Sequence, residues 1–327
     1  MEIDIIQKLK EANLTGRGGA AFPTWLKWEA VRNTQDEKKY VICNASEGEP
    51  GVYKDSFILD KWPKEVIDGI EIAMKTTGAK EAYIYLRHDY YNKFKNKLKK
   101  IIGKNPIHLF KKTGGYIGGE ETTLLNSIEG KRNEPRLRPP YPTEKGLFGF
   151  PTLINNVETF YWVTKIAKNE YENTRFYSLS GKIKHPGVYE LPVDISVKEI
   201  LKKTNNFPNF PFFLQINGGV SGEIITHQEL NRKVAGTGAV IVFDLKKTNL
   251  LSLMKKWANF FYRESCGQCV PCREGVYRIR EILNSKKINF VLLKAIFLTM
   301  KETSFCPFGK IVPIPFESLI NKLWIKK

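Results

Sequence analysis

The segment Glu264-Ser-Cys-Gly-Gln-Cys-Val-Pro-Cys-Arg-Glu-Gly-Val276 carries three cysteines in the pattern C-x-x-C-x-x-C. Thiolates at this spacing can bind three corners of a [4Fe–4S] cluster, and the fourth ligand must come from elsewhere. The next cysteine along the chain is Cys306, which precedes Pro307. We therefore predict one iron–sulfur cluster, an electron-transfer group, held by Cys266, Cys269, Cys272 and Cys306.

Zinc is the competing interpretation, because four thiolates also suit a tetrahedral zinc ion. Zinc sites usually use paired C-x-x-C knuckles, so the triple run favours iron and sulfur. The fifth cysteine, Cys43, lies in a short apolar run typical of a strand. We interpret it as a buried, inert thiol.

The composition is that of a soluble globular protein. The chain has 327 residues, of which 42% are hydrophobic and 26% charged, and this length predicts two or three domains. No segment approaches the roughly 20 apolar residues of a membrane helix. The first residues, Met-Glu-Ile-Asp, do not resemble a secretory signal. We expect a cytoplasmic protein without a membrane span.

The formal net charge of +18 is the unusual bulk property. Nucleic-acid binding is one explanation of such a charge. Lysines spread over solvated surfaces are the explanation we favour, and a helix near Lys93–Lys100 fits it. An acidic partner subunit is the remaining alternative, because complementary charge steers docking.

Periodicity predicts three parts. Residues 1–170 alternate strands, at 40–44 and 82–86, with helices, at 65–75 and 120–129, which indicates an α/β sheet. Residues 171–247 read as a small α+β module, with strands near 176–180, 188–191, 212–216 and 239–243 around a helix at 197–203. Residues 248–327 read as helical, and an apolar stripe from Leu250 to Phe261 is its expected core.

Glycine-rich and acidic loops mark the first part. Leu14-Thr-Gly-Arg-Gly-Gly-Ala-Ala-Phe-Pro precedes a helix that we expect near Pro23, and such a loop can cradle a phosphate or form a tight turn. Two acidic stretches, Asn44-Ala-Ser-Glu-Gly-Glu-Pro-Gly and Gly114-Gly-Tyr-Ile-Gly-Gly-Glu-Glu-Thr, follow strand-like runs. Open α/β sheets place ligands at that end of a strand. Helix capping is the alternative for Glu120 and Glu121.

Six motifs in a fixed order resemble one family. They are G-R-G-G-A-A-F-P-T with L-K-W, N-A-S-E-G-E-P-G, Y-I-G-G-E-E-T, P-R-L-R-P-P-Y-P, G-x-P-T-x-x-N-N-V-E-T-F and E-S-C-G-Q-C-x-P-C-R-E-G. Together they cover nearly the whole chain and resemble the NADH-binding flavoprotein subunit of respiratory complex I. The family includes diaphorase subunits of NAD-dependent hydrogenases and formate dehydrogenases.

The resemblance implies a fold and a set of partners. The fold would be a Rossmann-like FMN-binding domain, a ubiquitin-like (SLBB) module and a C-terminal helical bundle that carries the cluster. The partners would be a small thioredoxin-like [2Fe–2S] subunit and a larger iron–sulfur subunit, on the cytoplasmic side of a membrane-bound complex. No nucleic acid is implied.

The resemblance also implies residue roles. The family positions around FMN are Gly16, Gly18, Lys27, Asn44, Glu47, Glu120, Asn155 and Asn156. Those around NADH are Phe22, Glu49, Tyr116, Glu121, Arg138 and Tyr141. Glu49 and Glu121 would hold the nicotinamide, Tyr116 would line the cavity and Phe22 would stack on adenine. Hydride would pass to FMN and single electrons to the cluster.

Some residues depart from the family. It usually has aspartate at Ser46, cysteine at Gly118, a bulky apolar residue at Ala30 and phenylalanine at Tyr141, and the span from Cys272 to Cys306 is shorter here. Other machines with the same chemistry, including an electron-bifurcating complex, and a structural paralogue without NADH oxidation are alternatives. An ion-pumping ferredoxin oxidoreductase is disfavoured, because such proteins carry two cysteine runs. The choice between NADH and NADPH stays open.

Overall fold

The computed structural model describes residues 4–324. Two compact units share the chain: the first runs to Gly48 and includes Tyr53–Phe176 and Glu190–Val193, and the second comprises Glu49–Val52, Tyr177–Tyr189 and the chain from Asp194 onward. The predicted division at residues 170 and 247 stays a prediction. The first three residues, on which the expectation of no secretory signal partly rests, lie outside the described range.

The first unit is built on a parallel sheet in the order β3-β2-β1-β4. Its strands are β1 (Tyr40–Ala45), β2 (Glu81–Leu86), β3 (Ile107–Lys111) and β4 (Thr152–Asn156). Its helices are α1 (Ile5–Glu11), α2 (Thr24–Arg32), α3 (Lys54–Lys61), α4 (Pro63–Thr77), α5 (His88–Ile102), α6 (Glu121–Ile128) and α7 (Val157–Ala167). The strands and helices predicted for this part are confirmed.

The sequence explains these elements. The apolar run in β1 is buried, including Cys43, as expected for a central strand of a parallel sheet. Helix α4 has proline at its first position and ends at Gly78, whose φ of +79° suits a left-handed cap. Helix α5 buries an apolar stripe and exposes most of its lysines, so the predicted solvated face is confirmed.

The second sheet has the order β6-β5-β9-β7-β8. It consists of β5 (Thr174–Gly181), β6 (Gly187–Pro192), β7 (Phe212–Ile216), β8 (Glu223–Thr226) and β9 (Ala239–Asp244), with helix α8 (Val197–Lys203). The hydroxyl of Ser196 and the carboxylate of Glu199 form a capping box at the start of α8. This is the predicted α+β module with its central helix.

The chain ends in helices α9 (Leu250–Glu264), α10 (Val270–Asn284), α11 (Phe290–Thr303), α12 (Pro307–Ile311) and α13 (Pro313–Leu319). Four residues of the predicted core stripe of α9, Leu250, Met254, Trp257 and Phe261, are buried, and the fifth, Leu253, is half-buried. Among residues 4–324, no helix is both long and apolar enough to cross a membrane.

Candidate functional site

The carboxyl ends of β1 and β4 are where the first sheet can receive a ligand. These strands are parallel neighbours, and Asn44 of β1 lies opposite Asn156 of β4, while Cys43 lies opposite Asn155. Strand order reverses here, because β2 lies on one side of β1 and β4 on the other. Open α/β sheets bind ligands at such a point. Three predicted FMN residues, Asn44, Asn155 and Asn156, therefore share one edge of the sheet.

The glycine-rich loop closes over this edge. Its ends are joined by hydrogen bonds, since the Gly16 amide donates to the Phe22 carbonyl at 2.8 Å. The Arg17 amide donates to Thr159 Oγ1 at 3.0 Å, which ties the loop to α7. A Cβ atom on Gly18 would lie 3.3 Å from Cβ of Asn156. The absence of a side chain thus lets the loop backbone approach Asn156 closely, as in glycine loops whose backbone binds a phosphate.

The two asparagines of β4 are held by the protein. Asn155 Oδ1 accepts from Trp28 Nε1 at 3.0 Å, and Asn156 Oδ1 accepts from the Thr159 amide at 3.1 Å as the N-cap of α7. Asn155 Nδ2 makes no hydrogen bond to any residue in the described range, so it is a donor that a cofactor could use.

The exit of β1 packs on the loop before α6. Asn44 Nδ2 donates to the Gly119 carbonyl at 2.9 Å, and Asn44 Oδ1 accepts from the Ser46 amide at 3.2 Å. A Cβ atom on Gly119 would lie 2.8 Å from Ser46 Oγ. Ser46, where the family usually has aspartate, thus fills a narrow gap with a short neutral side chain.

Gly118, where the family usually has cysteine, has little space around it. A Cβ atom there would lie 3.0 Å from both Lys112 Cε and the Thr113 carbonyl oxygen. The neighbouring Tyr116 ring packs on Gly48, whose missing Cβ would lie 3.0 Å from Tyr116 Cδ2.

Four predicted residues form one charged cluster. Glu121 accepts from Lys27 Nζ at 2.8 Å and from Arg138 Nη1 at 3.0 Å, and Arg138 Nη2 pairs with Glu120. Glu120 also caps α6, since its Oε2 accepts from the amides of residues 122 and 123. The capping alternative therefore applies to Glu120. Burial would raise the pKa of Glu121, but the ion pairs with Lys27 and Arg138 lower it.

Glu47 lies in a second, more buried cluster. Its carboxylate accepts from the Asp55 amide at 3.2 Å and from Tyr90 Oη at 2.7 Å. Burial and the Asp55 carboxylate raise the pKa of Glu47 to about 7, against the opposing effects of Lys54 and Tyr90. Lys54, Asp55 and Tyr90 lie outside the sequence motifs. Glu158 lies within the N-N-V-E-T-F motif, but the sequence predicts no role for it, because the cluster draws on three separate helices.

The remaining predicted NADH residues lie in different surroundings. Phe22 and Tyr141 are exposed at 46% and 51%, as a stacking surface needs, and Lys27 Nζ lies 5.9 Å from the centroid of the Phe22 ring. Glu49 belongs to the second unit, where it is buried and accepts from the amide of Val220 at 2.8 Å. A cavity of about 650 Å³ beside Arg136 and Lys145 is lined by none of the predicted residues.

The cysteines of the second unit come from three helix ends. Cys266 follows α9, Cys269 caps α10 with Cys272 in its first turn, and Cys306 caps α12. Cys272 and Cys306 are buried. Burial raises the pKa of Cys272 to about 12, and the three other predicted ligands act electrostatically in the same sense. Four cysteines at helix ends, three of them at N-termini, are a ligand set that suits an iron–sulfur cluster.

Gly309 allows α12 to pack closely against the cysteine site. A Cβ atom on Gly309 would lie 2.4 Å from Ser304 Oγ and 3.1 Å from Cys272 Cβ, so α12 can approach Cys272 only without a side chain there. No three His, Cys, Asp or Glu side chains in the described range meet at distances suited to one shared metal ion.

The fold and both sites define an α/β protein with a ligand edge on its parallel sheet and a four-cysteine site in its C-terminal helices. Comparison with known proteins gives two family matches. Residues 9–165 match the Nuo51 FMN-binding domain, and residues 252–324 match the NADH-ubiquinone oxidoreductase-F iron-sulfur binding region. The predicted cofactor classes, FMN and a [4Fe–4S] cluster, are confirmed at the level of these families.

Two individual relatives are similar to most of the chain. The chain is 36% identical to the second F subunit of NADH-quinone oxidoreductase in Rhizobium meliloti (strain 1021), over 84% of this chain and 74% of the relative. It is 38% identical to the F subunit of the same enzyme in Aquifex aeolicus (strain VF5), over 86% of this chain and 73% of the relative. The chain belongs to the family of NADH-quinone oxidoreductase F subunits, as the motifs predicted.

A solved structure supports the fold. A crystal structure of an NAD+-reducing [NiFe]-hydrogenase in the H2-reduced state contains a chain that superposes with a TM-score of 0.90 and 31% identity. The match covers 97% of this chain and 60% of that one. The predicted fold class is therefore confirmed. The roles of individual site residues stay predictions.

Proposed function

We propose that this chain is the NADH-oxidising, FMN-containing component of a multi-subunit NADH-quinone oxidoreductase. The observation that carries the proposal is the arrangement at the ends of β1 and β4: Asn44, Asn155 and Asn156 lie side by side. Gly18 lies close to Asn156, and Asp55 links Asn156 to Glu47. Hydrogen bonds also link the glycine loop to Thr159 of α7 and Asn44 to Gly119, the residue before Glu120.

Bound FMN supplies the chemistry, because a flavin accepts a hydride from NADH and releases electrons one at a time. The chain supplies binding and orientation. The glycine loop would receive the phosphate, and Asn155 Nδ2 and Glu47 would offer a donor and an acceptor to the remainder of the cofactor. Cys266, Cys269, Cys272 and Cys306 would hold the cluster that accepts the electrons and passes them to a partner subunit.

The predicted NADH residues complete the site. Phe22 offers an exposed aromatic face for the adenine ring, and Glu121 and Tyr116 would contact the nicotinamide half. The family resemblance gives Glu49 the same role. Arg138 is paired with both Glu120 and Glu121, and Lys27 is paired with Glu121. Since these cations are already neutralised, they offer a 2′-phosphate little, and we expect NADH to bind more tightly than NADPH. Equal affinity in a titration of the FMN-loaded protein would contradict this.

Anaerobic purification tests the main proposal. We expect about one FMN and about four irons per chain, NADH-dependent reduction of ferricyanide, and an electron paramagnetic resonance signal of a reduced [4Fe–4S] cluster after dithionite. Bound FMN without NADH-dependent dye reduction would instead identify a structural paralogue.

The likeness to the hydrogenase chain favours a second candidate, a diaphorase subunit of another oxidoreductase. The proposed partners, a thioredoxin-like [2Fe–2S] subunit and a larger iron–sulfur subunit, suit either assembly. Purification of the native complex from its source separates them. Quinone reduction by NADH supports the first candidate, and hydrogen- or formate-dependent NAD+ reduction supports the second.

A further inference from the structure

A buried lysine lies behind the predicted flavin site. Lys54 begins α3 and its side chain is 2% exposed, and its Nζ lies 2.7 Å from Asp55 Oδ1 and 3.2 Å from Glu158 Oε2. Burying such charges is costly, and an apolar replacement of the whole group often stabilises a protein as well or better. Stability alone therefore does not account for this group.

Asp55 connects the lysine to two predicted FMN residues. Its backbone amide donates to both carboxylate oxygens of Glu47 at 3.2 Å. Its Oδ1, the atom bound by Lys54, also accepts from Asn156 Nδ2 at 3.4 Å. Glu47 follows β1 and Asn156 ends β4, so Asp55 joins the two strands whose ends form the ligand edge.

We propose that Lys54 is a positioning residue for the flavin: its ammonium group fixes Asp55, which holds Glu47 and Asn156 in the orientation that the cofactor meets. This inference rests on the proposed function, because it takes both residues as FMN contacts. Lys54 itself is not a catalytic residue. Glu158 anchors the other side of the ammonium group and is fixed by Trp162 Nε1 at 3.1 Å and the Phe176 amide at 2.9 Å.

The charges around Glu47 give the proposal a distinctive readout. Lys54 and Asp55 face Glu47 from α3, Tyr90 donates to it from α5, and the Arg87 guanidinium binds its backbone carbonyl. The Lys54 charge lowers the pKa of Glu47, whereas the Asp55 carboxylate raises it. Removing the lysine charge and removing the aspartate charge should therefore move the titration of Glu47 in opposite directions, which a purely structural role would not do.

The experiment measures FMN affinity by flavin fluorescence quenching on FMN-free full-length protein, from about pH 5.5 to about pH 8.5. Lys54→Met is expected to weaken binding about tenfold and to raise the midpoint of the pH profile by about one unit. Lys54→Arg should restore the midpoint. The FMN phosphate titrates in the same way with the wild type and every variant, so its contribution cancels when their midpoints are compared.

Two further variants make the outcome decisive. Asp55→Asn should lower the midpoint, and it carries the test if Lys54→Met does not fold. The control is Trp162→Phe, which removes one hydrogen bond to Glu158 and should lower thermal stability without moving the midpoint.

Three results would overturn the inference. These are an unchanged midpoint in Lys54→Met, an unchanged midpoint in Asp55→Asn, and a shift in the control as large as that in Lys54→Met. Wild-type protein that binds no FMN would overturn the proposed function as well. If the wild-type protein binds FMN and oxidises NADH but Lys54→Met and Asp55→Asn keep its midpoint, only the role of Lys54 is overturned.

Discussion

Gly309 sets how closely α12 approaches the predicted cluster ligand Cys272. A Cβ atom at position 309 would lie 2.4 Å from Ser304 Oγ, 2.6 Å from Ser304 Cβ and 3.1 Å from Cys272 Cβ. Ser304 is buried and ends α11, so it cannot swing into solvent. Gly309→Ala therefore forces α12, the end of α11 or the Cys272 side chain to move.

The expected change in the stability of Gly309→Ala combines two opposed effects. Replacing a helical glycine by alanine ordinarily stabilises a helix by about 1 kcal/mol. Overpacking a buried site costs about 1–3 kcal/mol, and here the contacts are with the short, buried side chains of Ser304 and Cys272. We expect Gly309→Ala to lower the free energy of unfolding by about 1–2 kcal/mol. The larger consequence is for the cluster, because metal–ligand distances tolerate errors of only about 0.2 Å.

The assay is iron, acid-labile sulfide and FMN content of one anaerobically purified sample. Gly309→Ala should lose most of its iron and sulfide and keep its FMN. The matched control is Gly275→Ala, because its Cβ would meet Met300 Sδ at 2.4 Å, and the flexible thioether can move aside. Full iron content in Gly309→Ala, or equal iron loss in both variants, would refute the reasoning.

Three further changes test other parts of the chain. Cys306→Ala should abolish the four-iron signal, and a full signal would show that Cys306 is not the fourth ligand. Glu47 has a native pKa of about 7 against an ordinary 4.5, so the folded protein takes up a proton and its stability falls as pH rises between these values, by about 3 kcal/mol. Glu47→Gln should remove that fall in urea unfolding of FMN-free protein, and an unchanged slope would contradict the assignment. Gly69→Ala, whose Cβ would lie 2.1 Å from the Phe160 carbonyl oxygen, should lower the free energy of unfolding by more than about 2 kcal/mol, and equal stability would show that α4 and α7 can separate.

Local patterns predict much of the fold. The apolar runs of β1 and β2 indicate central strands of a parallel sheet, and the Ser196–Glu199 capping box marks the start of α8, which begins and ends where the sequence predicts. Strands β3 and β4 have no comparable signal. Only the first residue of β3 is fully buried, and β4 ends in two asparagines that resemble a loop.

The candidate site is predictable where its residues lie in motifs. Glycine loops, acidic loops and the cysteine run are each contiguous, and the sheet then brings the first two together. The cluster of Lys54, Asp55, Tyr90 and Glu158 is not predicted from the sequence, although Glu158 lies in a motif, and the reason is physical. Each looks like an ordinary helical polar residue, and only the packing of α3, α5 and α7 reveals that the group is buried and shared.

The net charge of +18 says little about the site. Lysines on surfaces such as α5 supply this charge. Near the ligand edge, the carboxylates of Glu47, Asp55 and Glu158 all act on the buried ammonium group of Lys54. Lys27 and Arg138 form ion pairs with Glu120 and Glu121. A field generated by exposed lysines is screened over about 8–10 Å of salt solution, whereas buried pairs are screened far less. The pKa of Glu47 is therefore governed by burial and a few buried neighbours, and substitutions of surface lysines should leave it unchanged.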